Sequence, residues 1–433
     1  MAESLTFTSL GELVKGKRIN LGLSLSELSR KTGVSKGILS KIESGETKRP
    51  ELRNLKLIAD GLQIPYDDIV ELYIEIEHRN SILEDFLWEA IDISSPSLIE
   101  KVALKFLEDP KKDTFESLEA IFAIANTITN NDSRLALYNT IIKYARIHGI
   151  PMYIAKGLYQ KYLIDRQDLK RMDKSFKDGE EILHYVDFLS HEDKVTYYYK
   201  MSLQAYALKK YKAGIELCLK GLEEDTSTDE LKARAYLAMI NSMSRLGRYS
   251  DVENYLEEFE KFNYPFVNEA SQLTRAIVKV RKKEYSTAIP LLEECFNNIS
   301  GESRIHVVNE LLEIHLSMNN MDYISNILYR ENEYLNLSPK TPYKHLSVGR
   351  YYRYKGIYQM NKKQIEKGVE SFIKSLLSFG EVNAYFEINE CMNDIISGFL
   401  NCSEPMSLHY LKRLKLVYNK IIGNRLMAEG GYS

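Results

Sequence analysis

Apolar residues in the first part of the chain recur every three or four positions, in short runs separated by Gly, Pro and Ser. Leu10, Leu13, Val14 and Ile19 mark the inward face of a helix over Leu10–Asn20. Ser24 and Glu27 stand at capping-box spacing and start a second helix, which stops at Thr32-Gly33, where glycine permits a tight turn. Ser35 caps a third helix running to Glu43 and ended by Ser44-Gly45. Pro50-Glu51 opens a fourth, with Leu52, Leu55, Ile58 and Leu62 at core spacing, and Pro65 begins a short fifth. Leu28, Val34, Leu39 and Ile42 lock the second and third helices at a steep angle. Lys36, Gly37, Ser40 and Lys41 are then left outside, on a helix presented as one that enters a DNA major groove about 12 Å wide.

From Leu72 onward helical periodicity never yields to strand alternation, and the expected fold class is all-α. Turn signals recur at Lys210-Tyr211, Gly247-Arg248-Tyr249, Lys283-Glu284-Tyr285 and Asn319-Asn320-Met321, with a further unit from Tyr352-Gly356 through Gly368-Phe372. Their spacing is close to the ~34 residues of tetratricopeptide repeats, which these units resemble in degenerate form. Residues 80–190 hold further helices, read as diverged repeats with breaks near Pro96, Pro110 and Pro151. Stacked repeats present a concave face lined by the first helix of each pair. If Tyr211, Tyr249, Tyr285 and Met321 are equivalent, the inward positions follow by register. They are Tyr199, Leu203 and Tyr206; Arg234, Leu237, Asn241 and Arg245; Leu273, Ile277 and Arg281; Asn309 and Glu313; then Arg350 and Arg353. Amides bind both N–H and C=O groups of an extended peptide, and arginine pairs with carboxylates. The 30 tyrosines fit packing between hairpins better than base stacking.

Charge sharpens the division between these regions. Net charge is −3, yet eleven Lys and Arg between Lys15 and Lys56 face only Glu27, Glu43, Glu46 and Glu51. A basic head on an acidic body suits DNA binding by the head alone. The boundaries drawn are 1–70 for the head, 71–80 for a linker helix and 81–433 for a repeat domain that binds peptide and dimerises. No run approaches the ~18 apolar residues of a membrane span, and no secretion signal opens the chain. Cys218, Cys295, Cys391 and Cys402 share no paired spacing, which points away from zinc and disulfides and toward a cytoplasmic location.

Catalysis finds no support in the sequence. There is no H-E-x-x-H or P-loop pattern, and the eight histidines are dispersed. Gly33-Val34-Ser35-Lys36-Gly37 matches the nucleophile-elbow pattern, but a helix precedes it where that motif needs a strand. No enzyme activity and no cofactor are expected.

The stretch Leu23–Gly45, with Gly33 at the turn and the Ile42-Glu43-Ser44-Gly45 ending, resembles the Xre/Cro helix-turn-helix family. That likeness implies base contacts from Ser35, Lys36, Gly37, Ile38 and Ser40, and phosphate contacts from Lys31, Lys41 and Arg49. Leu25 stands where many relatives carry a DNA-touching glutamine, which leaves contacts from the second helix open. Head and repeats together resemble the RRNPP family of peptide-sensing regulators, nearest in architecture to its NprR-like branch. The likeness implies a right-handed α-solenoid behind the head and a quorum-sensing role. A homodimer on double-stranded operator DNA would be switched by a short linear signalling peptide in the groove, with Asn241 and Asn309 on the peptide backbone. Rap-like relatives also bind response regulators. The alternative is therefore a repeat protein that sequesters such a signalling partner, with DNA binding secondary.

Overall fold

The computed structural model describes residues 9–75, 79–109, 112–299, 301–335, 339–403 and 405–428. Among these the secondary structure is helical throughout, without strands. Pro110 and part of the 71–80 linker lie outside the described residues, as does the side chain of Leu52. The chain divides into two compact units, Met1–Ile164 and Asp165–Ser433.

The first unit opens with α1 (Leu10–Asn20), α2 (Leu25–Thr32), α3 (Lys36–Glu43), α4 (Leu52–Leu62) and α5 (Tyr66–Ile74). The capping box forms: Glu27 N–H donates to Ser24 Oγ at 3.2 Å, and Ser24 N–H to the Glu27 carboxylate at 2.8 Å. Leu10, Leu13, Val14, Leu28, Val34, Leu39, Ile42, Leu55, Ile58 and Leu62 share the core. Ile19 does not join them and is 56% exposed. The inward place four residues after Val14, one helical turn on, belongs to Arg18. Gly11 lets α1 and α3 close up, because a Cβ there would meet the backbone oxygen of Ile42 at 2.5 Å.

Behind these come α6 (Asn80–Asp92), α7 (Pro96–Leu107), α8 (Thr114–Thr127), α9 (Asn131–His148) and α10 (Pro151–Asp165). The head is joined to this hairpin stack. Tyr66 donates to Glu89 at 2.6 Å, Ser95 donates to Asp67 at 3.0 Å, and the Tyr73 and Phe86 rings lie 5.2 Å apart. Residues 81–164 therefore pack with the head as one compact unit.

The second unit begins with a 3-10 turn at Leu169–Arg171 and α11 (Met172–Glu180), followed by helical hairpins. These are α12 (His191–Ala207) with α13 (Tyr211–Glu224), α14 (Glu230–Arg245) with α15 (Tyr249–Phe259), and α16 (Pro265–Arg281) with α17 (Tyr285–Asn298). Then come α18 (Arg304–Ser317) with α19 (Met321–Tyr329), α20 (Pro342–Asn361) with α21 (Ile365–Gly380), and α22 (Tyr385–Cys402) with α23 (Leu408–Ala428).

The turn inside five of these hairpins has one construction. Lys209, Gly247, Lys283, Asn319 and Lys363 all take the left-handed conformation, two residues ahead of the second helix. The next N–H reaches back five residues: Lys210 to Ala205 at 2.8 Å, Arg248 to Met243 at 3.0 Å, Glu284 to Lys279 at 3.0 Å, Asn320 to His315 at 2.9 Å, and Gln364 to Gln359 at 2.9 Å. Carbonyls that a helix end leaves unsatisfied are closed in this way. The equivalence of Tyr211, Tyr249, Tyr285 and Met321 rests on these turns.

The second unit also closes on itself. Asn383, in the loop before α22, donates to the Lys170 carbonyl at 2.6 Å, and Lys170 pairs with Glu381 at 3.7 Å. Lys209 pairs with Glu387 and lies 4.5 Å from the Phe386 ring centroid. A cavity of about 630 Å³ lies between these first and last elements, lined among others by Arg171, Lys177, Leu208 and Val382.

Candidate nucleic-acid interface and repeat groove

The outer surface of α3 follows from its core. Leu39 and Ile42 are buried, so Lys36, Gly37, Ile38, Ser40 and Lys41 turn outward, and all five are exposed. Ser35 is exposed too, and its hydroxyl accepts the Ile38 N–H at 3.3 Å. It is a helix cap preceded by a helix and a turn, which removes the nucleophile-elbow reading. Lys31 and Arg49 are likewise exposed. What steadies α3 was not among the expectations drawn from the sequence. Arg18 on α1 makes a two-pronged bond to Glu43, with Nε at 2.6 Å and Nη2 at 2.7 Å, while Nη1 donates to the Leu23 carbonyl at 2.7 Å. Their side chains are only 13% and 6% exposed. One guanidinium thus ties α1, the α1–α2 turn and the end of α3 together, and its pKa is raised by the bond to Glu43 despite burial. The apolar run around Ile42 masked this pair, although Arg18 one turn after Val14 was its available signal.

In the repeat unit the inner helices are α12, α14, α16, α18 and α20. Asn241 and Arg245 lie on α14, Ile277 and Arg281 on α16, and Glu313 on α18, each four or eight residues ahead of the following helix. Leu203, Asn241, Ile277 and Arg281 are half-buried, whereas Arg245 and Glu313 are exposed. Positions twelve residues ahead behave differently. At 100° per residue they sit about 60° round from the centre of that stripe, toward the paired helix. Tyr199, Leu273 and Asn309 occupy them and are buried, while Leu237 and Arg353 at the same place are half-buried. Tyr199 donates to Asp225 at 2.9 Å, and Leu273 belongs to a hairpin core. Asn309 donates to the Ser347 carbonyl at 2.9 Å, joining α18 to α20. The open face therefore excludes Tyr199, Leu273 and Asn309.

Several expected lining residues are engaged within the fold. Arg234 pairs with Glu230 at 2.6 Å and lies 4.7 Å from the Phe266 ring centroid. Arg350 pairs with Glu313 at 2.7 Å and Glu310 at 3.4 Å, and Tyr354 also donates to Glu313, at 2.8 Å. Arg353 pairs with Asp394 and, at 2.7 Å, with Glu390. Asn241, by contrast, makes no side-chain hydrogen bond among the described residues.

Two residues absent from the register complete this wall. Tyr343, in the first turn of α20, brings its ring within 6.2 Å of Tyr206 on α12 and 4.3 Å of His306 on α18. It stays 41% exposed, while its desolvating surroundings hold its hydroxyl above the ordinary pKa. His306 shares a 2.8 Å hydrogen bond with Ser347, and burial, helped by Lys344 and Arg350, pushes its pKa down to about 3. The imidazole is neutral at pH 7. Pro342 signalled the start of α20, but nothing in the repeat spacing pointed to Tyr343. Among the described residues no cluster of His, Cys, Asp or Glu is fit to hold a metal, and no helix is long and apolar enough to cross a membrane.

Residues 14–69 match the helix-turn-helix family. The chain is 29% identical over 109 residues to the transcriptional repressor RghR of Bacillus subtilis, covering 23% of this chain and 79% of that protein. Over 104 residues it is 29% identical to the transcriptional regulator SinR of the same organism, covering 24% and 92%. Among solved structures it is similar to phAimR, with TM-score 0.38 and 12% identity over 90% of this chain and 97% of that one. Likeness at that level assigns no function. Residues 14–69 are a helix-turn-helix domain, carried on a chain whose remaining described secondary structure is helical.

Proposed function

We propose that this chain is an RRNPP-type, peptide-switched regulator. In this reading α3 enters the major groove of operator DNA, with Ser35, Lys36, Gly37, Ile38 and Ser40 toward the bases and Lys31, Lys41 and Arg49 toward phosphates. A short extended peptide occupies the wall formed by Leu203, Tyr206, Asn241, Arg245 and Tyr343, with Asn241 serving a backbone amide. What supports the reading is an exposed, basic α3 together with a repeat unit in which the Tyr206 and Tyr343 rings lie 6.2 Å apart, the Asn241 amide is half-buried and unengaged among the described residues, and the Arg245 guanidinium is exposed. A homodimer reading half-sites one DNA turn apart converts small changes in the repeats into changes of affinity.

The test is fluorescence anisotropy with a labelled duplex from upstream of the gene. Titrations run with and without a synthetic peptide taken from any small secreted pro-peptide encoded next door. Affinity is expected to change tenfold or more; unchanged affinity together with an unchanged oligomeric state sinks the switch.

A further inference from the structure

The groove holds two kinds of arginine. Arg350 and Arg353 each meet carboxylates on neighbouring helices. Arg281 reaches from α16 to the end of α14, where Nη1 donates at 2.6 Å to Oγ of Ser244, the residue that precedes Arg245. Neither Arg245 nor Arg281 lies within ion-pair distance of a carboxylate among the described residues. Arg281 is half-buried, and its pKa is lowered by burial and by the like charge of Arg245. Tyr206 stands in the same field, its hydroxyl raised by burial and lowered by Arg245 and Arg281. Arg281 is thus a guanidinium withdrawn from solvent with the like charge of the exposed Arg245 in its field. The carboxylate that acts on it from beyond ion-pair distance, Glu310, is already paired with Arg350, an arrangement that folding alone does not favour.

We infer that Arg245 and Arg281 form a seat for one carboxylate of the bound peptide, with Tyr206 as a flanking hydroxyl donor. This rests on the peptide reading above and deepens it. A carboxylate accepts paired N–H donors from guanidinium forks, and it would relieve the repulsion between these two. The carboxylate is either the peptide's free C-terminus or an acidic side chain, and the experiment separates them.

Full-length protein is used for affinity selection from three hexapeptide pools read by mass spectrometry. One pool lacks Asp and Glu and has free C-termini; the second is the same pool amidated; the third is amidated but contains Asp. Retention of the free-acid pool about tenfold to a hundredfold above the first amidated pool assigns the seat to the C-terminus. Equal enrichment of the Asp pool assigns it to a side chain. In either case the Arg245→Gln, Arg281→Gln double variant brings the ratio to about one.

Equal retention of all three pools, or a ratio the double variant does not move, overturns the seat while leaving peptide binding standing. Retention of none overturns both readings. Thermal unfolding of the double variant is the control for folding. It is expected at or above the temperature of the parent, since a repulsion is removed, and a drop of several degrees shows the arginines to be structural and also overturns the seat.

Discussion

Arg18 in the head and Arg281 in the repeats are both guanidiniums withdrawn from solvent, and their surroundings differ in one respect. Arg18 is completed by its own fold: Glu43 takes two of its donors and the Leu23 carbonyl a third. Arg281 has one serine hydroxyl, a like-charged neighbour and, beyond ion-pair distance, only Glu310, which Arg350 already holds. The first arrangement fixes a shape and leaves the cations of α3 free to act outward. The second is charged and unfinished, and waits for something from outside. A cation satisfied within the chain speaks of structure, and one left over speaks of a ligand.

The largest expected effect breaks the head's side of this contrast. Arg18→Ala leaves the Glu43 carboxylate nearly buried and unpaired, and should cost about 3–5 kcal/mol. Urea denaturation of the full chain, followed through the head's transition, measures it. A loss below 1 kcal/mol would mean that the pair is ornamental.

Next comes the neutral histidine of the groove. His306 has a folded pKa of about 3 against an ordinary 6.5, so the unfolded chain binds its proton first as pH falls. Stability is therefore full above pH 6.5 and declines between there and pH 3. Between pH 7 and pH 5 the decline should be about 2 kcal/mol for this one group. Comparing the slope in parent and His306→Gln checks it, since the variant should lose that share.

Lys36→Glu addresses the exposed cations instead. It should weaken operator binding at least tenfold, about 1.4 kcal/mol, and flatten the dependence on salt. Stability should move by no more than about 0.5 kcal/mol, as for most exposed substitutions. Binding that survives the change would remove α3 from the interface. The smallest effect belongs to Arg245→Gln in the absence of ligand, within about 0.5 kcal/mol of the parent and on the stabilising side. A clear loss in calorimetry would erase the distinction between finished and unfinished arginines.

The head was legible because its signals are local. Ser24, Glu27, Gly33 and Ser35 set helix ends through contacts within a few residues, and the observed α2 and α3 begin where those caps place them. The repeat turns were legible from the residues that follow them. The left-handed residue itself is lysine at 209, 283 and 363, and so gave no glycine signal. Exposure along the inner helices was only partly readable. A register counted in whole residues placed Asn241 and Arg245 on the open stripe, but it also carried Tyr199, Leu273 and Asn309, which a rotation of about 60° turns into the hairpins. Tyr343 and the Arg18–Glu43 pair depend on residues distant in sequence, and no periodicity reports such meetings.

Repeat arrays ordinarily have two free ends, and each unit leans only on its neighbours, so such proteins tend to fray inward from their termini. The bond from Asn383 to the Lys170 carbonyl removes that freedom from the second unit. With the loop ahead of its last hairpin held by its first turn, the hairpins between α12 and α21 are held at both ends. Melting should then proceed as a single event rather than a progressive peeling, and loss of that one amide donor would restore an end from which to unravel.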